Sequence, residues 1–131
     1  EGTGVFKIGI LGDTPVEQLL REISKKRGAG DRKLQVEVYR NIEDLDTCHV
    51  LFISSGQVEK FEEIRRRLGD RSVLTISDTP GLANRGIAIN FVLVKGKLKF
   101  EINQQALQRA DLRASAQLLK LAILVEEEDA G

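Results

Sequence analysis

With 131 residues, 20 basic and 20 acidic, the chain has no net charge, so no global field draws it to nucleic acid or to an anionic membrane. Its length suits one domain with a single core, and residues 1–131 are read as one. The longest apolar runs, 50–53 and 87–94, fall far short of the ~20 residues that cross a bilayer, and no leader pattern is visible.

In chain order, an almost continuous apolar run at 5–11 ends at Gly12-Asp13, which predicts a strand buried on both faces of a parallel sheet. Thr14-Pro15-Val16-Glu17 then reads as an N-cap, a first-turn proline and a capping-box glutamate. Val16, Leu19, Leu20 and Ile23 recur at helical spacing, Lys25-Lys26-Arg27 suit the helix's negative pole, and Gly28-Ala29-Gly30 ends it. Residues 34–39 alternate and predict a strand nearer the sheet edge. A third strand is predicted at 48–53. Ser54-Ser55-Gly56 opens a second helix with Val58, Phe61, Ile64 and Leu68 inward, and Gly69 stops it. Residues 73–76 give the next buried strand, which ends at Ser77-Asp78-Thr79-Pro80-Gly81.

Two helices separating three buried strands imply right-handed crossovers and a parallel core. From Ile87 the pattern changes. Residues 87–94 are apolar on both faces, Lys95-Gly96 makes a turn, and Leu98, Phe100 and Ile102 then alternate with Lys97, Lys99 and Glu101. That second arm is expected to be an exposed edge strand, with its lysines to solvent and its apolar residues inward. Helical spacing resumes from Asn103 and the chain closes on an acidic stretch, 126–129. The predicted fold is a three-layer α/β domain with a mainly parallel sheet of five or six strands, flavodoxin-like in order, and an antiparallel edge hairpin.

Catalytic chemistry finds few candidates. The only cysteine, Cys48, directly precedes the only histidine, His49, and neighbours on a strand face opposite ways, so they form no dyad. One thiol and one imidazole are too few for a zinc site within one chain, and a lone cysteine forms no internal disulfide. Cys48 reads as a small buried hydrophobe. There is no G-x-G-x-x-G, no G-x-x-x-x-G-K-[ST], and no aspartate where a phosphoreceiver would end its third strand; that place holds Ser54 and Ser55. No enzyme activity, cofactor or metal is therefore expected. Arg65-Arg66-Arg67 share their helix with Glu59, Glu62 and Glu63 and read as a solvated, ion-paired face rather than a nucleic-acid footprint.

A polar rim is the better candidate. Asp13, Ser54, Ser77 and Asp78 lie at the carboxyl ends of three strands expected to be adjacent, where an open α/β sheet binds anions or small ligands; the same residue types also simply cap helices and turn the chain. Asn90, set in an apolar strand, either ties that strand to the turn at 84–86 or lines a small pocket.

Four motifs together, IGILGDTP at 8–15, CHVLFIS at 48–54, the stretch 73–103 containing GIAINF, and a tail with Ser115, Leu118, Leu119, Leu121 and Ala122, resemble the YfiR family over nearly the whole chain. The pattern departs from the family's at Leu82, Ile87 and Ala88. The resemblance implies a periplasmic, or otherwise extracytoplasmic, non-enzymatic regulator that binds and represses a membrane-bound diguanylate cyclase. It also implies an apolar helical segment ahead of the first strand, which this sequence lacks; with no methionine anywhere, the chain is expected to be a processed or trimmed product. Alternative readings are the extracytoplasmic sensor domain of a larger receptor such as a histidine kinase, or a small-molecule binding protein. A homodimer fits any of the three.

Overall fold

A computed structural model describes residues 5–12, 14–26, 33–69 and 71–127. Seven strands form one sheet in the order β2-β1-β3-β4-β5-β6-β7. They are β1 (Val5–Leu11), β2 (Lys33–Tyr39), β3 (Val50–Ile53), β4 (Leu74–Ser77), β5 (Ile89–Val94), β6 (Lys97–Ile102) and β7 (Ile123–Leu124). The first five are mutually parallel in the flavodoxin-type order, β6 runs antiparallel to β5, and β7 is parallel to β6. The helices are α1 (Val16–Lys26), α2 (Phe61–Leu68), α3 (Leu82–Arg85), α4 (Gln104–Arg109) and α5 (Ala116–Leu121).

Strand alternation sorts the core into two layers. On one face Leu11, Leu51 and Ile53 pack with Phe61, Ile64 and Leu68 of α2 and with Leu82 and Ile87. Phe61, Ile64 and Leu68 fall on one helical stripe, which is why α2 docks there. Its last turn ends at Gly69, whose φ of 58° suits glycine, and whose N–H returns to the Arg65 carbonyl at 3.0 Å. On the other face Ala88 and Ile102 pack with Ala106 and Leu107 of α4, joined by half-buried Leu74, Ile89, Phe100, Leu112 and Leu118. Asn103 caps α4 by accepting from Ala106 N at 3.0 Å, and Ser115 caps α5 by accepting from Leu118 N at 3.1 Å.

Several expectations need correction. The sheet has a seventh strand, because 123–124 pair with Glu101 and Ile102. The third strand opens at Val50 rather than Cys48, although His49 N still reaches Lys7 O at 2.9 Å. A one-turn helix, α3, and a 3-10 segment, Ser55–Lys60, stand where a plain turn and the start of an α-helix were expected. Leu98 does not point into a core: it is 68% exposed, because among the described residues no layer lies beside the end of the β5–β6 hairpin. Arg67 does pair with Glu63, but Arg65 is half-buried, donates to the Arg85 carbonyl at 3.2 Å and lies over the Phe61 ring. The glycines expected to end α1, and the far end of the acidic tail, lie outside the described residues.

Candidate functional site

The rim forms at the carboxyl ends of β1, β3 and β4, beside Asn90 near the start of β5, and close packing draws the first two together. Gly12 turns the chain with φ 94° and donates its N–H to Tyr39 O at 2.9 Å, while Ser54 N donates to Leu11 O at 3.1 Å. A Cβ at Gly12 would collide with Ser54 Oγ and sit 2.9 Å from Gln57 Cγ, so only glycine lets these segments meet. Gln57 N donates to Ser54 O at 3.0 Å, which spends one of the backbone donors that the start of a helix could have offered an anion.

The structure sorts the sequence candidates. Ser54, Ser77 and Asn90 are buried along the rim, and the register Ile53↔Ser77 and Ser77↔Asn90 makes their strands neighbours. The Ser77 hydroxyl is committed to the fold, because it donates to Ile53 O at 2.8 Å. Asn90 ties its strand to a turn, but to Thr79 rather than to 84–86: Nδ2 donates to Thr79 O at 2.8 Å and to Glu101 Oε1 at 3.3 Å. Asp78 is exposed, and Asp13 lies outside the described residues.

Among the described residues, Ser54 Oγ, Gln57 Oε1, Thr79 Oγ1 and Asn90 Oδ1 are buried without a hydrogen-bond partner. A buried polar atom left unpaired costs about 1–3 kcal/mol, so four along one rim leave it with hydrogen-bonding capacity that a ligand can take up. Thr79 was already placed at the rim by sequence, after Ser77 and Asp78, whereas Gln57 and Glu101 were missed, since nothing in their spacing distinguishes them from helix and strand residues. Amide oxygens and carboxylates only accept, whereas the hydroxyls can also donate. With Asp78 and Glu101 nearby, the arrangement suits a ligand that carries N–H or O–H donors better than an anion.

Cys48 and His49 occupy the opposite end of the sheet. Cys48 is buried, and that burial pushes its thiol pKa up. A Cβ on Gly9 would lie 3.3 Å from its Sγ and 2.7 Å from Tyr39 Cε2, so Gly9 makes room for both. His49 is exposed, accepts from Lys7 N through Nδ1 at 2.9 Å and stacks on Phe6 with ring centroids 4.8 Å apart. The two side chains serve different environments. Beside them, Phe6, His49, Leu74, Ile89, Leu112 and Leu118 help line an apolar groove of about 290 Å3 on the second face of the sheet.

A family model described as YfiR/HmsC-like matches residues 1–123. The chain belongs to this family. Comparison with curated proteins gives no match. YfiR/HmsC-like domains are regulatory, non-catalytic and periplasmic, and they belong to cyclic-di-GMP signalling. Among the described residues no helix is long and apolar enough to cross a membrane. The motif residues that carry the resemblance have physical tasks here: Gly12 permits the rim turn, Cys48 fills space under Gly9, Asn90 joins β5 to the Thr79 turn, and Ser115 caps α5. Leu82, Ile87 and Ala88 are all buried.

Proposed function

We propose that this YfiR/HmsC-like domain binds the periplasmic part of a membrane-bound diguanylate cyclase and holds the enzyme inactive. Family membership over residues 1–123 is the observation that carries this reading. Surface features give it a physical means. At the edge of the sheet Leu121 and Leu124 are 71% and 55% exposed, beside the two-residue strand β7. Exposed leucines along a short edge strand offer apolar area together with unpaired backbone groups to a partner.

Repression then follows from differential affinity. A regulator that binds active and inactive cyclase equally shifts nothing, and moving the balance from 1:99 to 99:1 takes about a 10⁴-fold preference for the inactive state. Release of the regulator, rather than any reaction it performs, restores output. The test is co-purification of the full coding product with the membrane protein encoded nearest to it, followed by cyclase output with and without the regulator. Association with lowered output supports the reading, and unchanged output without association refutes it. A second copy seated on the same edge is the competing occupant, read by mass measurement in solution.

The unpartnered atoms of the rim favour a second reading, in which a small donor-bearing molecule binds there and tunes the regulator. A ligand that binds only the folded state must raise the melting temperature, so a screen of amines and polyols against simple anions decides it. Stabilisation by anions alone would count against the donor-bearing class.

A further inference from the structure

Leu98, which reaches no core, belongs to a hairpin that runs past its neighbours in the sheet. β5 pairs with β4 only through Ile76↔Ile89 and Ser77↔Asn90, and β7 pairs with β6 only through Glu101 and Ile102. Among the described residues, 91–100 are therefore a two-stranded ribbon that continues beyond the end of β4 with both edges unpaired. Its pairs divide cleanly by face. Phe91 opposes Phe100 and Leu93 opposes Leu98 on one side; Val92 opposes Lys99 and Val94 opposes Lys97 on the other. Leu93 and Leu98 are 74% and 68% exposed. Lys95, Lys97 and Lys99 are exposed as well, and residues 91–100 contain no acidic side chain.

Edge protection explains Lys97 and Lys99, but it calls for neither an exposed leucine pair nor a lysine at the tip. Lys95 holds φ 52° ahead of Gly96 at φ 79°, a turn in which asparagine or aspartate would be the choice for backbone reasons alone. A chain of zero net charge thus gathers three cations and two exposed leucines on one projecting finger.

We propose that this finger docks on an anionic lipid surface, with Leu93 and Leu98 entering the boundary between headgroups and acyl chains. Lys97 and Lys99, on the face opposite the leucines, would run their stems along Val92 and Val94 and, with Lys95 at the turn, reach back to the headgroup phosphates with their ammonium groups. The residue choice favours lipid over an acidic protein. Protein interfaces are enriched in tyrosine, tryptophan and arginine and depleted in lysine, whereas elements that lie in a membrane interface combine lysine with leucine and phenylalanine. The proposal goes beyond the regulatory reading and is tested without the cyclase.

The experiment is co-sedimentation of the full chain with vesicles rich in phosphatidylglycerol and, in parallel, with phosphatidylcholine vesicles. Binding is expected to the anionic vesicles only and to weaken as salt rises. Each change among Lys95→Gln, Lys97→Gln and Lys99→Gln should weaken it about fivefold, the factor equivalent to roughly 1 kcal/mol per basic residue near such a surface. Leu93→Ser with Leu98→Ser should remove binding even at low salt with all three lysines present, which separates insertion from simple charge attraction. Circular dichroism checks that these exposed substitutions leave the fold intact. No sedimentation with anionic vesicles, or sedimentation unchanged in these variants, overturns the proposal. Variants that keep vesicle binding but lose association with a soluble periplasmic fragment of the partner overturn it in favour of an acidic protein site. Loss of vesicle binding in 10 mM-scale inorganic phosphate at constant ionic strength would likewise overturn it, pointing to a free-phosphate site.

Discussion

Replacing Asn90 by aspartate tests whether the rim is held together by a donated hydrogen bond. Asn90 is fully buried, and its amide nitrogen donates to the Thr79 carbonyl at 2.8 Å and to the Glu101 carboxylate at 3.3 Å. Asn90→Asp keeps the shape but puts a carboxylate against a carbonyl oxygen and a second carboxylate. At an effective dielectric near 20, two unit charges at that separation repel by about 5 kcal/mol, which exceeds the cost of taking up a proton at neutral pH. The introduced group therefore stays protonated in the fold, and can still donate one hydrogen bond. Its folded pKa lies above its unfolded value of about 3.9, so the stability it retains is fully present below that value and is lost as pH rises.

Holding the proton costs about 4 kcal/mol at pH 7 and about 1 kcal/mol at pH 4.5. The bond lost to Glu101 adds about 1.5 kcal/mol at either pH. Asn90→Asp is thus expected to be destabilised by roughly 5–6 kcal/mol at pH 7 and by about 3 kcal/mol less at pH 4.5, read by urea unfolding at both. Asn90→Leu, measured alongside, should show no such pH dependence. A destabilisation by Asn90→Asp that is equal at the two pH values would refute the donor role and leave Asn90 as packing alone.

Gly12→Ala should cost about 2–4 kcal/mol in chemical unfolding, because the new methyl meets Ser54 Oγ and the φ of 94° is strained for alanine; a cost below about 0.5 kcal/mol would show that the rim segments are not in contact. Cys48→Ala should cost about 1 kcal/mol and leave partner binding intact, and in the native chain a thiol-specific reagent should label Cys48 only at the rate of unfolding; rapid labelling of folded protein would contradict its burial. The tail carries a pH-sensitive clasp. Arg109, hydrogen-bonded to Glu127, holds that carboxyl below the usual range, with Asn103 adding a further donor at 3.2 Å. A depressed folded pKa gives stability that is present above the unfolded value and is lost as pH falls through the folded one. Glu127→Gln should therefore flatten the acid limb of the stability profile, and an unchanged limb would show that the clasp contributes nothing.

The fold was legible where one physical signal dominated. Phe61, Ile64 and Leu68 announced an inward helical stripe, and Gly69 marked its end, because burial and chain reversal both leave residue-level signatures. The parallel order followed from buried strands separated by helices. β7 was not legible: two residues show no period, and only its tertiary pairing with Glu101 and Ile102 makes it a strand. Leu98 misled for a related reason. Its alternation with Lys97 and Lys99 correctly gives the two faces of β6, but alternation does not say whether a layer lies against the apolar face, and among the described residues none does at the finger.

The rim shows the same division between type and context. Sequence placed Ser54 and Ser77 at neighbouring strand ends because small polar residues after apolar runs mark where strands stop, and it singled out Asn90 as a polar residue inside an apolar strand. It could not assign their hydrogen bonds. Ser77 and Asn90 belong to the same residue class, yet the Ser77 hydroxyl is consumed by Ile53 O while Asn90 spends its nitrogen and keeps an oxygen without a partner. Gln57 and Thr79, whose oxygens are also unpaired, come from a 3-10 segment and a turn that propensity alone leaves undistinguished. What makes a polar residue available to a ligand is therefore the balance left after the fold has taken its share, and that balance is fixed by register and packing rather than by residue type.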